Sequence, residues 1–184
     1  MVKTHNVISV IGNHDRDSSL ETPVGYNPYA KISCLWTHRQ LGLSEQRFLL
    51  ALPKNLVLNI EDVSFFICHG SPDSLVDEYV FPPPATSEDV LKKYLLKAKT
   101  NVVILGHTHI PFVQRFSEGY VINPGSVGQP RSGDPRASYI LITVENGKFE
   151  FKHCFVEYDI KKVADEIFEV GLPSFLAERL HLGI

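Results

Sequence analysis

The sequence is poor in several features that would each mark a functional class. It has three cysteines, one methionine and one tryptophan in 184 residues. Cys34, Cys68 and Cys154 are scattered, odd in number and form no CxxC pair. That excludes a disulfide scaffold and a thiolate metal knuckle, and predicts buried free thiols of a reducing compartment. No apolar run approaches the ~18 residues that span a bilayer, so no membrane partner is expected. Basic blocks are absent too. With 18 Lys and Arg against 21 Asp and Glu, the net charge is −3, which argues against nucleic acid as a partner. Met1–His5 lack a signal-peptide pattern, so the expected location is cytoplasmic. Repeats and low-complexity stretches are missing as well.

What remains is an ordinary globular composition, 43% hydrophobic and 21% charged, in a chain long enough for one domain with a real core. The expected organisation is a single domain over residues 1–184, with 157–184 as its C-terminal helical tail. Asn6–Ile11 (NVISVI) reads as a buried strand. Residues 16–42, with Pro23, Gly25, Pro28 and Gly42, read as a long surface loop. A short helix is expected over Glu45–Ala51. The strands Leu56–Ile60 and Val63–Cys68 join through Glu61-Asp62. Thr86 and Asp89 suggest a capping box for a helix ending near Ala98. Val102–Leu105 is a continuous apolar strand. Phe112–Phe116 and Tyr120–Ile122 suggest a hairpin, and Tyr139–Val144 and Phe149–Val156 a second, across Asn146-Gly147. Helices follow over Lys161–Phe168 and from Ser174. Strands that alternate with helices and also pair as hairpins place the chain in the mixed α/β class.

The chemistry lies in the histidines. Four of eight fall just after apolar strands and beside or near a glycine: His14 in IGNHD, His69 in ICHGSP, and His107 and His109 in ILGHTHIP. A glycine lets backbone approach a ligand closely, and strand ends are where α/β proteins gather their sites. Imidazoles from three strand ends can converge on Zn, Fe, Mn or Ni, and the Asn13 oxygen suits the harder of these. His107 and His109, at alternate positions of an extended segment, would face the same way. Each residue alone has a plainer reading: a hydrogen-bonded loop histidine for His69, a turn residue for Asn13, a cap or Asx turn for Asp15.

As an ordered set, GNHD, HG, GHTH and the later INPGSVGQPR resemble the calcineurin-like metallophosphoesterases, in particular their small prokaryotic phosphodiesterase branch. The resemblance runs from Asn6 to about Val156. It implies a four-layer α/β/β/α sandwich with two divalent metal ions at the strand ends, drawn from Mn, Fe, Ni or Zn. Asn13, His69 and His107 then correspond to protein ligands of one ion and His109 to a ligand of the other. His14 corresponds to the catalytic histidine that contacts the substrate phosphate and protonates the leaving oxygen. Asp15 would hold His14 in its tautomer. Arg131 is a candidate contact for an anionic substrate, with a solvated loop arginine as the alternative. The implied substrate is a small phosphorylated molecule.

Two family motifs, an Asp-x-His and a Gly-Asp whose Asp bridges the metals, stand before GNHD in the family and do not occur here. Gly133-Asp134 lies after the third motif. The expectation is therefore the family sandwich with its first two strand-helix units absent, roughly 60 residues at ~30 per unit. Three explanations compete: a truncated or late-started chain, a short form that keeps only a binding or scaffold role, or completion by another chain. With at most one well-held metal and no bridging carboxylate, the chain alone is expected to be a weak or inactive enzyme. An uncovered Asn6–Ile11 edge would make it a homo-oligomer.

Overall fold

A computed structural model of the chain describes residues 4–184. Met1–Lys3, part of the Met1–His5 stretch read above, lie outside the described residues.

The mixed α/β sandwich is present. Its centre is a five-stranded sheet of β1 (Asn55–Ile60), β2 (Val63–Cys68), β3 (Val102–Ile104), β4 (Phe112–Phe116) and β5 (Gly119–Asn123), in the order β1-β2-β3-β5-β4. β2, β3 and β5 run parallel, and antiparallel strands close both edges. A second, two-stranded sheet pairs β6 (Ala137–Glu145) with β7 (Lys148–Val156). Asn146 and Gly147 both take positive φ between them, as the tight turn of a twisted hairpin requires.

The period of two in the strands divides the core. Val103, Val121 and Cys68 point to one face, where Leu91, Tyr94 and Leu95 of α4 (Glu88–Ala98) cover them. Val63, Phe65, Val102 and Ile122 point to the other and pack under Ile140, Ile142, Val144, Phe149 and Phe151 of the hairpin. One face therefore meets a helix and the other a sheet. The α4 helix is capped by Ser87, whose Oγ accepts from the Val90 backbone N–H. Thr86, expected in that role, instead accepts from the Phe81 N–H.

Two expectations fail in the first 42 residues. The stretch read as a loop carries α1 (Asn13–Leu20) and α2 (Pro28–Gln40), followed by α3 (Leu43–Leu50). Asn27 caps α2 by accepting from the Ala30 N–H, and Pro28 stands at its first position. Proline there is a start signal, because its missing N–H would be unpaired anyway. Asn6–Ile11, in turn, forms no strand. Among the described residues it finds no ladder partner beyond one bond from the Ile11 N–H to the Pro53 carbonyl. Val7 and Ile8 are exposed and Ile11 is buried. The open strand edge that suggested oligomer formation is thus not there.

The tail forms α5 (Ile160–Glu169) and α6 (Ser174–Leu182), which pack on each other. Tyr29 of α2 meets Phe175 of α6 with ring centres 4.8 Å apart, so the tail closes onto the N-terminal helices. Cys34 and Cys68 are buried free thiols as expected, while Cys154 is only half-buried. No helix among the described residues is long and apolar enough to cross a membrane.

The helix-to-sheet contact can be tested directly. Leu91→Ala should destabilise the fold by about 2–5 kcal/mol, the usual cost of a large-to-small change in a packed core. Leu96→Ala, on the exposed face of the same helix, should stay within about 0.5 kcal/mol. Urea unfolding of the two variants measures the difference.

Candidate metal centre

The three motifs meet in one cleft. It encloses about 360 Å³, and its lining includes Asn13, His14, Asp15, His69, His107, His109 and Arg131. Asn13 and His14 open α1, His69 follows β2, and His107 and His109 follow β3.

Three donor atoms converge. His69 Nε2 lies 3.0 Å from Asn13 Oδ1 and 3.0 Å from His107 Nδ1. Ligands bound at about 2.1 Å to one cation stand about 3.0–3.4 Å apart, so this spacing fits a shared ion. Among the described residues no group of three His, Cys, Asp or Glu gathers for a metal. The converging set is two imidazoles and one amide oxygen, and it fits a single borderline divalent cation.

The approach depends on glycine. A methyl group on Gly12 would stand 3.2 Å from the His69 ring, and one on Gly106 would stand 3.3 Å from its Nδ1. The ring is therefore held between two bare backbones. Asn13 is oriented from the other side. Its Nδ2 donates to Tyr26 Oη at 2.7 Å, and Tyr26 donates to Asp17 Oδ2 at 2.8 Å. With the amide nitrogen engaged, Oδ1 must face His69. Asp17 is paired with Arg16, which forms a two-pronged pair with Asp77. Asp77 returns to the site, because its carbonyl and carboxylate favour the protonated form of His107. Tyr26 and Asp17 went unnoticed in the sequence because their stretch read as loop.

The GHTH loop is not the extended segment expected. His107 and His109 have φ of 64° and 62°, left-handed values uncommon for a residue with a Cβ. The Thr108 N–H reaches back to the Gly106 carbonyl across His107. Buried Asn123 clamps this shape by donating to the Gly106 carbonyl and to Thr108 Oγ1. From the same INPGSVGQPR stretch, the Gln129 carbonyl accepts from His109 Nδ1 at 2.7 Å. That bond leaves His109 Nε2 as the unprotonated nitrogen of a neutral ring. The fourth motif thus buttresses the third.

Tyr79 stacks on His107 at 3.7 Å between ring centres, and Phe81 stacks behind it. His14 leans on Tyr26 at 4.8 Å. Asp15 does not reach its expected partner: its Oδ2 accepts from the Gly12 N–H and caps α1. No hydrogen bond joins it to His14 among the described residues. Arg131 lies in the cleft wall, held by Gln129 Oε1.

Burial is the largest influence on all four imidazoles and lowers their pKa values. His69 is pushed down to about 3 and His109 to about 4, while His14 and His107 move in the same direction. His14 is exposed at the mouth yet crowded enough to be partly desolvated. Near pH 7 all four rings are neutral and carry a free lone pair.

The family model described as calcineurin-like phosphoesterase superfamily domain matches residues 1–147. An uncharacterized protein of Methanocaldococcus jannaschii is 35% identical over 200 aligned residues, spanning 100% of this chain and 78% of that protein. The crystal structure of a metallophosphoesterase from Sphaerobacter thermophilus superposes with a TM-score of 0.78 at 31% identity, covering 97% of this chain and 78% of that one. A hypothetical protein from Pyrococcus horikoshii shares the fold with a TM-score of 0.85 at 22% identity, covering 100% and 76%.

Two measurements check the site. Tyr26→Phe leaves the Asn13 amide and Asp17 carboxylate short of a partner, and should cost about 1–3 kcal/mol in denaturant unfolding. In the metal-free protein, His69 and His109 bind protons more weakly folded than unfolded. The unfolded state therefore gains protons first as pH falls below about 6.5. Stability should be full above that pH and decline as pH falls towards 4. His109→Gln should flatten the decline in urea midpoints taken between pH 6.5 and 4.5.

Proposed function

The chain belongs to the calcineurin-like phosphoesterase superfamily, and from that premise we propose that it is a metal-dependent phosphoesterase acting on a small phosphorylated substrate, either a phosphodiester or a phosphomonoester. The observation that carries the reading is the convergence of Asn13 Oδ1, His69 Nε2 and His107 Nδ1 within 3.0 Å steps. These three would hold one ion, and His109, through Nε2, would serve a second. The ions are Mn, Fe, Ni or Zn by donor chemistry. A divalent cation there would polarise a phosphoryl oxygen and bring the pKa of a bound water towards neutrality.

The chain's own residues do the rest. His14 is neutral in the free cleft. A phosphate docked beside it favours the imidazolium, which then gives its proton to the leaving oxygen. Asp15 acts through the helix: by capping α1 at Gly12 it fixes the turn from which Asn13 and His14 project. Arg131 neutralises charge on the phosphate. Tyr26 positions Asn13, so Tyr26→Phe should weaken metal affinity about 10–100-fold, as loss of an outer hydrogen bond usually does.

A non-catalytic binding or scaffold role is the second reading. It is favoured by one feature: among the described residues no carboxylate joins the converging donors. The three converging donors should let the 184-residue chain bind one Mn²⁺ tightly enough to titrate. It should hydrolyse a bis(nitrophenyl) phosphate only slightly above the metal background. His14→Asn should remove that margin while leaving Mn²⁺ binding intact. Supplying the family's Asp-x-His and Gly-Asp segment, fused or as a separate chain, should raise turnover by orders of magnitude. Mn²⁺ binding with no turnover under either condition would establish the scaffold reading. Calorimetric titration and nitrophenolate release are the two measurements.

A further inference from the structure

The lining of the cleft divides by chemistry. Asn13, His69 and His107 meet there as donors, while Val10, Tyr29, Ala30 and Leu176 bring mainly carbon. Most of the apolar members come from two helices, Tyr29 and Ala30 from α2 and Leu176 from α6. The α6 helix lies outside the residues matched by the family model. The two helices meet where Tyr29 packs on Phe175, the chain neighbour of Leu176, so these residues form one wall. The cleft as a whole encloses about 360 Å³, within the size range of pockets that bury organic ligands. A phosphate group alone fills a small part of it.

Tyr29 is the aromatic member of that wall. It is 44% exposed, yet a series of stacked groups sets its position from behind. The Phe175 ring lies 4.8 Å from it, tilted by 33°. Arg179 lies over Phe175 at 5.2 Å and donates Nε to an oxygen of the terminal residue Ile184. The hydroxyls of Tyr26 and Tyr94 both donate to carboxylates. The Tyr29 hydroxyl has no hydrogen bond among the described residues, so ring packing orients it. Tyr79 is also half-exposed in the lining, but it already stacks on His107 and Phe81. An aromatic surface fixed before a ligand arrives offers stacking at little cost in ordering.

We propose that Tyr29, with Ala30 and Leu176 beside it, is the platform for a planar aromatic ring carried by the leaving group, so that the cleft selects aryl or nucleoside phosphoesters over aliphatic ones. The reacting phosphate sits at His14 and the ring against Tyr29. The subsite rests on the phosphoesterase reading for the identity of the reacting group, but its recognition of the ring is independent of metal.

The test is calorimetric titration of the 184-residue chain treated with chelator. Phenylphosphonate and cyclohexylphosphonate probe an aryl ring; adenosine monophosphate and ribose phosphate probe a nucleobase. Phenylphosphonate should bind about three- to tenfold more tightly than cyclohexylphosphonate, which has similar bulk and no π face. For a nucleobase, adenosine monophosphate should exceed ribose phosphate roughly tenfold. The proposal requires a ring preference in at least one pair, and the larger ratio identifies the source of the ring. Tyr29→Leu should bring that ratio close to one, and Tyr29→Phe should preserve it. A purely structural tyrosine would shift the melting temperature and leave the ratio alone. Melting curves establish that each variant is folded. If Tyr29→Leu is not, intermolecular NOEs between the ligand ring and Tyr29 in the unaltered chain decide. Ratios close to one in both pairs, an undiminished ratio in folded Tyr29→Leu, or no such NOEs would overturn the proposal. Failure of metal-dependent hydrolysis with the ring preference intact would overturn the phosphoesterase reading and leave the subsite standing.

Discussion

The site depends on one amide. Asn13 is held at its nitrogen by Tyr26 and offers its oxygen to His69, and through those two bonds the first helix is joined to the ends of the central strands. The bonds continue on both sides: from Tyr26 to Asp17, Arg16 and Asp77, and from His69 to His107. Asp77 in turn favours the protonated form of His107. Each member fixes the orientation of the next. Such networks are worth more than their separate bonds, and a missing partner strands a buried polar group.

The sheet provides the rigid base for this network. β2 and β3 are parallel neighbours, covered by α4 on one face and the β6–β7 hairpin on the other. Their carboxyl ends carry His69 and the GHTH loop to the same level. The glycines that follow or precede those histidines let the two segments approach within contact of the His69 ring. The strongly hydrophobic strands and the polar ends are two consequences of one arrangement: burial on both faces leaves only the strand ends free for polar chemistry.

The histidine motifs and the hairpins were legible in the sequence because each is a local signal. Asn146-Gly147 marks its own turn, and an apolar run ending in Gly-His marks its own strand end. Asn6–Ile11 was misread because a β-branched run is necessary for a strand but not sufficient; it also needs a ladder partner, which is a tertiary matter. Pro28 was taken as a breaker when its position after Asn27 made it a helix start. That error hid Tyr26 and Asp17 within an assumed loop. Arg179 was out of reach for another reason: nothing local to α6 says that it will fold against α2, 150 positions earlier in the chain at Tyr29.

The left-handed backbone at His107 and His109 also limits how the site can vary. Besides glycine, the residues that tolerate that conformation best are asparagine, aspartate and histidine. All three are metal donors. The shape of the loop therefore filters substitutions before any selection on chemistry acts. Apart from glycine, a change that spares the fold at either position exchanges one potential donor atom for another, imidazole nitrogen for carboxylate or amide oxygen. Softer ligands favour zinc and nickel, while oxygen ligands favour manganese and magnesium. Drift at these two positions would then move the preferred metal more readily than it would abolish metal binding.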